Sequence, residues 1–244
     1  HLSHRATDGE GRKLMTGWME YALALAIFVA SHFLPRIGGL RDGLIAAVGR
    51  RVYFSAYGLL SLALLVWVIV AAGRAPYVEL WPQVPWTRWV PNIAIPIATV
   101  LVVCGFGLRN PYTLGGKRDT IVDPNDPGFA AVSRHPLFLA LALWAGAHLV
   151  PNGDLAHVIL FGSFSLMALA AIPAFDAKAR RSFGAEATAF FSATATFSLL
   201  PLTDRAWLHD NARPLTIRAI IGLLIWVAAL HLHGSLIGAS PFPF

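Results

Sequence analysis

Residues 52–72 read VYFSAYGLLSLALLVWVIVAA, bounded by Arg50 and Arg51 on one side and Arg74 on the other. No acidic, basic or histidine side chain interrupts the run. A helix rises 1.5 Å per residue, so about 20 such residues cross a hydrocarbon core of about 30 Å. Inside that core every backbone polar group needs a partner from the protein, which a helix supplies within one segment. The stretch therefore reads as a transmembrane helix. Working outward, the same reading finds residues 18–35 before it and residues 91–108, 132–150, 155–172 and 219–237 after it. The expected fold is all-α: a polytopic membrane helix bundle of about six transmembrane helices.

Composition agrees. Hydrophobic residues make up 56% of the 244 and charged residues 13%, against roughly 25% charged in a soluble domain. Too little polar surface remains to cover a water-soluble globule, so much of the surface faces the lipid bilayer. The formal net charge is +6, but the basic residues lie in the gaps between apolar runs. That placement fits anionic headgroups rather than nucleic acid. Four Lys/Arg follow the first span, three lie between the third and fourth with Arg134 at the entry of the fourth, and six lie between the fifth and sixth; the opposite loops hold Arg74 and Arg88, plus Arg5, Arg12 and Lys13 near the beginning. The positive-inside rule then places both termini outside, in a multi-pass protein of the cell inner membrane.

The connections are punctuated as spans require. Pro35, Gly38 and Gly39 follow the first helix, and Pro151-Asn152-Gly153-Asp154 is a tight turn between the fourth and fifth. Trp81, Trp86 and Trp89 fall in the second connection, as expected of an interfacial aromatic belt. Residues 1–14 are polar and irregular and are expected to be a disordered N-terminal extension or an expression remnant; residues 15–244 are expected to form a single membrane domain. FDAKARRSF, residues 175–183, reads equally as a short amphipathic interfacial helix or as an extension of the fifth span.

The single cysteine, Cys104, sits in an apolar run and excludes an intramolecular disulfide or a cysteine metal cluster. Carboxylates are scarce in the spans, with Glu20 at the start of the first and nothing acidic at a centre. That argues against a carboxylate ion path and against paired-carboxylate catalysis. Histidines are not scarce: His32, His135, His148, His231 and His233 lie in or at the ends of the first, fourth and sixth spans. A neutral imidazole is cheaper to bury than a charge and ligates haem iron; the alternative role for each is a bond to a backbone carbonyl. Ser31-His32-Phe33-Leu34-Pro35 is echoed by Ala147-His148-Leu149-Val150-Pro151. Ser133-Arg134-His135-Pro136 opens the fourth span, where Arg134 and His135 could hold an anion such as a cofactor carboxylate, or snorkel to lipid phosphate.

Depth limits which histidines can share a metal. His32 and His148 lie near opposite ends of their spans and differ by roughly 20 Å in a core of about 30 Å. Two histidines on one iron have alpha carbons roughly 12–13 Å apart, so that pair needs tilted, short or broken helices. His148 and His233 end their spans on the same side; His32 and His135 share the other.

Ser133-Arg134-His135-Pro136, Leu143-Trp144-Ala145-Gly146-Ala147-His148-Leu149 and Asn152-Gly153-Asp154-Leu155 resemble the core of the NnrU family. Ser31–Pro35 resembles its first helix, and the run from His233 to Pro241 resembles its closing signature, with Gly234 where proline is usual. The resemblance implies a protein linked to nitrite and nitric oxide respiration (denitrification), or one related to zeta-carotene isomerase, which uses haem b for redox-dependent isomerisation of an apolar substrate. Carried over, the haem ligands would be His148 and His32. The depth reading adds His233 as the alternative partner, and the Arg-His motif lets Arg134 hold a propionate. Ala145 stands where the isomerase branch has a cysteine, which puts a thiol ligand switch in doubt. The implied partners are an apolar small molecule or a respiratory redox partner. Two other readings stand: a non-enzymatic accessory protein of a nitrite or nitric oxide reductase system, and a membrane methyltransferase. The Arg-His-Pro opening also resembles isoprenylcysteine carboxyl methyltransferase, but Glu186 is the only glutamate after Glu79, so the expected acidic pair is missing.

Overall fold

The computed structural model describes residues 2–120 and 123–244, with the side chains of residues 2–10 and 12 outside the description. The expected extension over residues 1–14 falls largely on those side chains. The described chain is helical: α1 (Leu2–Phe33), α2 (Leu40–Val48), α3 (Arg50–Arg74), α4 (Trp89–Gly105), α5 (Pro136–Leu149), α6 (Leu155–Phe183), α7 (Ala187–Ala193) and α8 (Arg205–Ile237). Among the described residues five helical segments are long and apolar enough to cross a membrane, and α5 is a sixth, shorter apolar helix. The protein is thus an all-α, multi-pass membrane helix bundle.

All six expected spans lie on helices, but the fourth begins later than expected. Residues 132–135 are not helical because their polar groups are used elsewhere. The Arg134 amide donates to the Ala195 carbonyl (2.7 Å) and the His135 amide to Ser133 Oγ (3.1 Å). Pro136, which has no amide hydrogen to lose, then occupies the first helical turn. At 14 residues α5 rises only about 21 Å. The segment 175–183 resolves as an extension: α6 continues without a break to Phe183.

The chain divides into two compact units, His1–Pro82 with Gly153–Leu160, and Gln83–Asn152 with Phe161–Phe244. In the first, α1 packs on α3, and α2 also packs on α3. Tyr21, 2% exposed, donates its hydroxyl to the Ala156 carbonyl (2.7 Å). The loop after α3 clamps the start of α6: the amides of Leu80 and Trp81 both donate to the Gly153 carbonyl (2.8 and 3.1 Å), and the Leu155 amide donates to Val78 (2.8 Å). A side chain at position 153 would strike Trp81, which is the physical reason for glycine in the Asn-Gly-Asp turn.

In the second unit α4 packs against both α5 and α8. Its contact with α5 is built on small residues: Ala98 and Leu101 meet Ala140, with Val102, Leu139 and Leu143 around them. A Cβ at Gly222 of α8 would lie 2.7 Å from Val100 Cα and 2.9 Å from Val100 N. In lipid, where apolar side chains gain little by leaving solvent, such close backbone approach is what packs helices together. Arg218 Nη1 donates to the carbonyls of Val103 (2.6 Å) and Phe106 (2.9 Å), satisfying acceptors left open at the end of α4.

Candidate functional site

Two polar clusters stand out in the second unit, at the two ends of α5. The first is built on Arg134 and His135. Both are buried, 7% and 1% exposed, and both turn to Asp176 on α6. Arg134 binds it in a fork, Nε to Oδ1 (3.1 Å) and Nη2 to Oδ2 (2.9 Å). Its remaining donors reach the Thr194 carbonyl (3.0 Å), Thr194 Oγ1 (3.4 Å) and Thr196 Oγ1 (3.1 Å). A guanidinium has five N–H groups, and all five are engaged.

The His135 ring is equally committed. Nε2 lies 2.8 Å from Asp176 Oδ1 and Nδ1 lies 2.9 Å from Thr113 Oγ1. A neutral ring with its proton on Nε2 donates to the carboxylate and accepts the threonine hydroxyl, which satisfies both nitrogens. Asn110 Nδ2 donates to the Arg134 carbonyl (3.1 Å), and the Arg134 guanidinium lies 4.7 Å from the Phe191 ring centre. An external anion would have to displace Asp176 or a threonine to reach Arg134, and neither residue sits at headgroup level in the open. Sequence reasoning passes over Asp176, which falls in the segment 175–183 read only as an interfacial helix or an extension of the fifth span. The signal that could find it is the Arg-His pair itself, because two buried donors call for one buried carboxylate.

The second cluster is at the other end of α5. His148 Nδ1 lies 2.8 Å from the Trp144 carbonyl, and His233 Nδ1 lies 2.8 Å from the Ala239 carbonyl. A carbonyl only accepts, so both rings carry their proton on Nδ1 and leave Nε2 with its lone pair. Among the described residues nothing hydrogen-bonds to either Nε2. The two ring centres are 6.5 Å apart, with planes 19° from parallel. Around them stand Trp144, 5.6 Å, and Phe161, 5.2 Å from the His148 ring centre. Asn152 Nδ2 donates to the His148 carbonyl (2.7 Å), so the turn residue closes the end of the helix beneath the ring.

His32, in the first unit, repeats the local arrangement of its echo. Its Nδ1 lies 2.8 Å from the Phe28 carbonyl, and its ring centre lies 4.5 Å from that of Phe28 and 6.3 Å from that of Tyr57. His231 bonds the Val227 carbonyl in the same way (2.8 Å). His157 instead faces Asp154 (2.8 Å) at the start of α6.

A family model described as NnrU protein matches residues 20–241. The chain belongs to the NnrU family. No curated protein and no solved structure matches it. The match takes in both clusters of this NnrU protein, from the first helix with His32 through Ser133–Pro136 and His148 to the segment after His233.

In ring spacing alone, His148 and His233 are compatible with a shared metal. With metal–nitrogen bonds of about 2 Å, two imidazoles sharing one metal would have ring centres up to about 6 Å apart. The observed 6.5 Å is close to that spacing. Each Nδ1–H is held by a main-chain carbonyl, the outer-shell contact that fixes the tautomer of metal-binding histidines. Around His233, α8 exposes Leu232, Leu236 and Ile237, as a lipid-facing span does. Two open clefts of this unit, of about 190 and 610 Å3, gather around Trp207 and Asn211, and neither is lined by a histidine.

Proposed function

We propose that this NnrU-family protein binds haem b in the cell inner membrane, where His148 and His233 would hold it. Its role would be redox chemistry linked to nitrogen-oxide metabolism, or redox-dependent isomerisation of an apolar substrate. The observation that carries the reading is the His148–His233 pair, two imidazoles with unused Nε2 atoms 6.5 Å apart between ring centres. Haem so bound supplies one-electron redox chemistry and an iron whose potential follows its axial ligands. The chain's own residues do the rest: the Trp144 and Ala239 carbonyls orient the rings, and Trp144 and Phe161 help keep water from them. His32, the partner that the family resemblance implies, presents its ring in the same tautomer and is tested alongside.

The test is an absorption spectrum of the detergent-purified protein, oxidised and reduced, after expression with haem supplied. A Soret band lost in His148→Ala and altered in His233→Ala supports this reading. A band altered in His32→Ala but not in His233→Ala moves the second ligand to His32. Protein with no Soret band ends the haem reading; if it also co-purifies with a reductase subunit, the accessory role replaces it. Binding of S-adenosylmethionine by calorimetry would instead favour a methyltransferase.

A further inference from the structure

We propose that Arg88 and Asn92 are positioning residues for His233, acting through the segment that follows α8. The inference deepens the haem reading and rests on it only for its consequence at the metal.

His233 departs from the habit of the other helix histidines. His32, His148 and His231 each turn Nδ1 to the carbonyl four residues earlier, those of Phe28, Trp144 and Val227. His233 reaches forward instead, to the carbonyl of Ala239. That acceptor exists because the chain doubles back. Gly238 has φ +81°, a left-handed conformation open to glycine, and its amide donates to the Gly234 carbonyl (3.0 Å). Pro241 and Pro243 then restrict the backbone of the returning segment.

Two side chains at the start of α4 hold that segment down. Asn92 Nδ2 donates to the Pro241 carbonyl (2.8 Å) and to the Arg88 carbonyl (2.8 Å), and Arg88 Nη1 donates to the Phe242 carbonyl (2.9 Å). Two carbonyls at one amide nitrogen fix which way the Asn92 side chain is turned. The chain of contacts therefore runs from α4, through residues 239–242, to the ring of His233, whose centre it sets 6.5 Å from that of His148. With the strap released, His233 would revert to the local acceptor, the carbonyl of Ala229, and its ring would leave His148.

The experiment uses the full-length protein in nanodiscs with isotope-labelled histidine. Without haem, the cross-relaxation peak between the His148 and His233 ring protons reports their proximity. Asn92→Asp keeps the shape and removes the donor; Arg88→Ala removes the second tie; Gly238→Ala strains the reversal from its other side. The peak is expected to be lost in all three and kept in Arg88→Lys, while helical circular dichroism is unchanged. If the peak persists in either Asn92→Asp or Arg88→Ala, the proposal is overturned. Should Asn92→Asp lose helical signal, Arg88→Ala set against Arg88→Lys decides alone. With haem added, Asn92→Asp is expected to bind it about tenfold or more weakly, the usual effect of removing an outer-shell contact. A wild type that takes up no haem defeats the haem reading and leaves the peak to judge the strap.

Discussion

The two ends of α5 carry the same chemistry in opposite states. At the Pro136 end, His135 spends both ring nitrogens and Arg134 all five donors on neighbours in the protein. At the Leu149 end, His148 and His233 each spend one nitrogen and keep the other. A buried polar group costs free energy unless it is paired, so saturation marks a group placed for structure. The free Nε2 atoms of His148 and His233 are what the proposed haem reading uses. Both ends look functional as sequence, and only the partners tell them apart.

The sharpest way to break the comparison is at Asp176. Replacing it by alanine leaves the buried Arg134 guanidinium without its counter-charge and His135 without its acceptor. Removing one partner of a buried pair costs about 3–5 kcal/mol, so the midpoint of unfolding in detergent should fall steeply. The haem content of whatever remains folded should not change. Equal loss of haem and stability would mean that the two ends are not separable.

His148→Ala is the mirror image. It removes a ring with one hydrogen bond, to the Trp144 carbonyl, and ring packing against Trp144 and Phe161, so the unfolding midpoint should fall less than in Asp176→Ala. Haem affinity should fall at least a hundredfold, which is about 2.7 kcal/mol. A titration monitored at the Soret band measures this. A large loss of stability with haem affinity retained would reverse the roles assigned to the two ends.

The difference between the ends also shows what sequence can carry. The six spans are legible because hydropathy and length are local, and the meeting of His148 with His233 follows from both lying at the same end of their spans. Asp176 is not legible, because its role depends on α6 continuing past Ile172 and turning one face back to Arg134. The late start of α5 is hidden for a similar reason: the Arg134 amide is claimed by Ala195, some sixty residues away in sequence. The strap at residues 239–242 escapes a local reading too, since its anchors are in α4. What reaches across the chain is lost to a span-by-span reading; what repeats within a turn of helix, such as the His32 and His148 echo, is not.

A third change separates packing from both polar ends. Gly222→Ala places a methyl group 2.7 Å from Val100 Cα and 3.0 Å from the Thr99 carbonyl oxygen, all rigid backbone. The contact of α4 with α8 must open, at a cost of about 1–3 kcal/mol. Because α8 carries His233, some loss of haem affinity should accompany it, unlike the Asp176 change. Thermal unfolding and haem titration on the same sample measure both.

The smallest effect is expected at Thr113. Thr113→Val is nearly isosteric and removes the hydroxyl that His135 Nδ1 accepts at 2.9 Å, leaving one buried acceptor unpaired. The cost is about 1 kcal/mol, at the low end for a lost buried partner, and haem binding should be untouched. Combining it with Asp176→Ala makes the decisive cycle. If His135 serves the knot by linking Thr113 to Asp176, the double variant should lose less than the sum of the singles, since the ring is already unheld once Asp176 is gone. Strict additivity would mean that Thr113 packs beside the ring without being part of its network, and the saturated end of α5 would then be Arg134 and Asp176 alone.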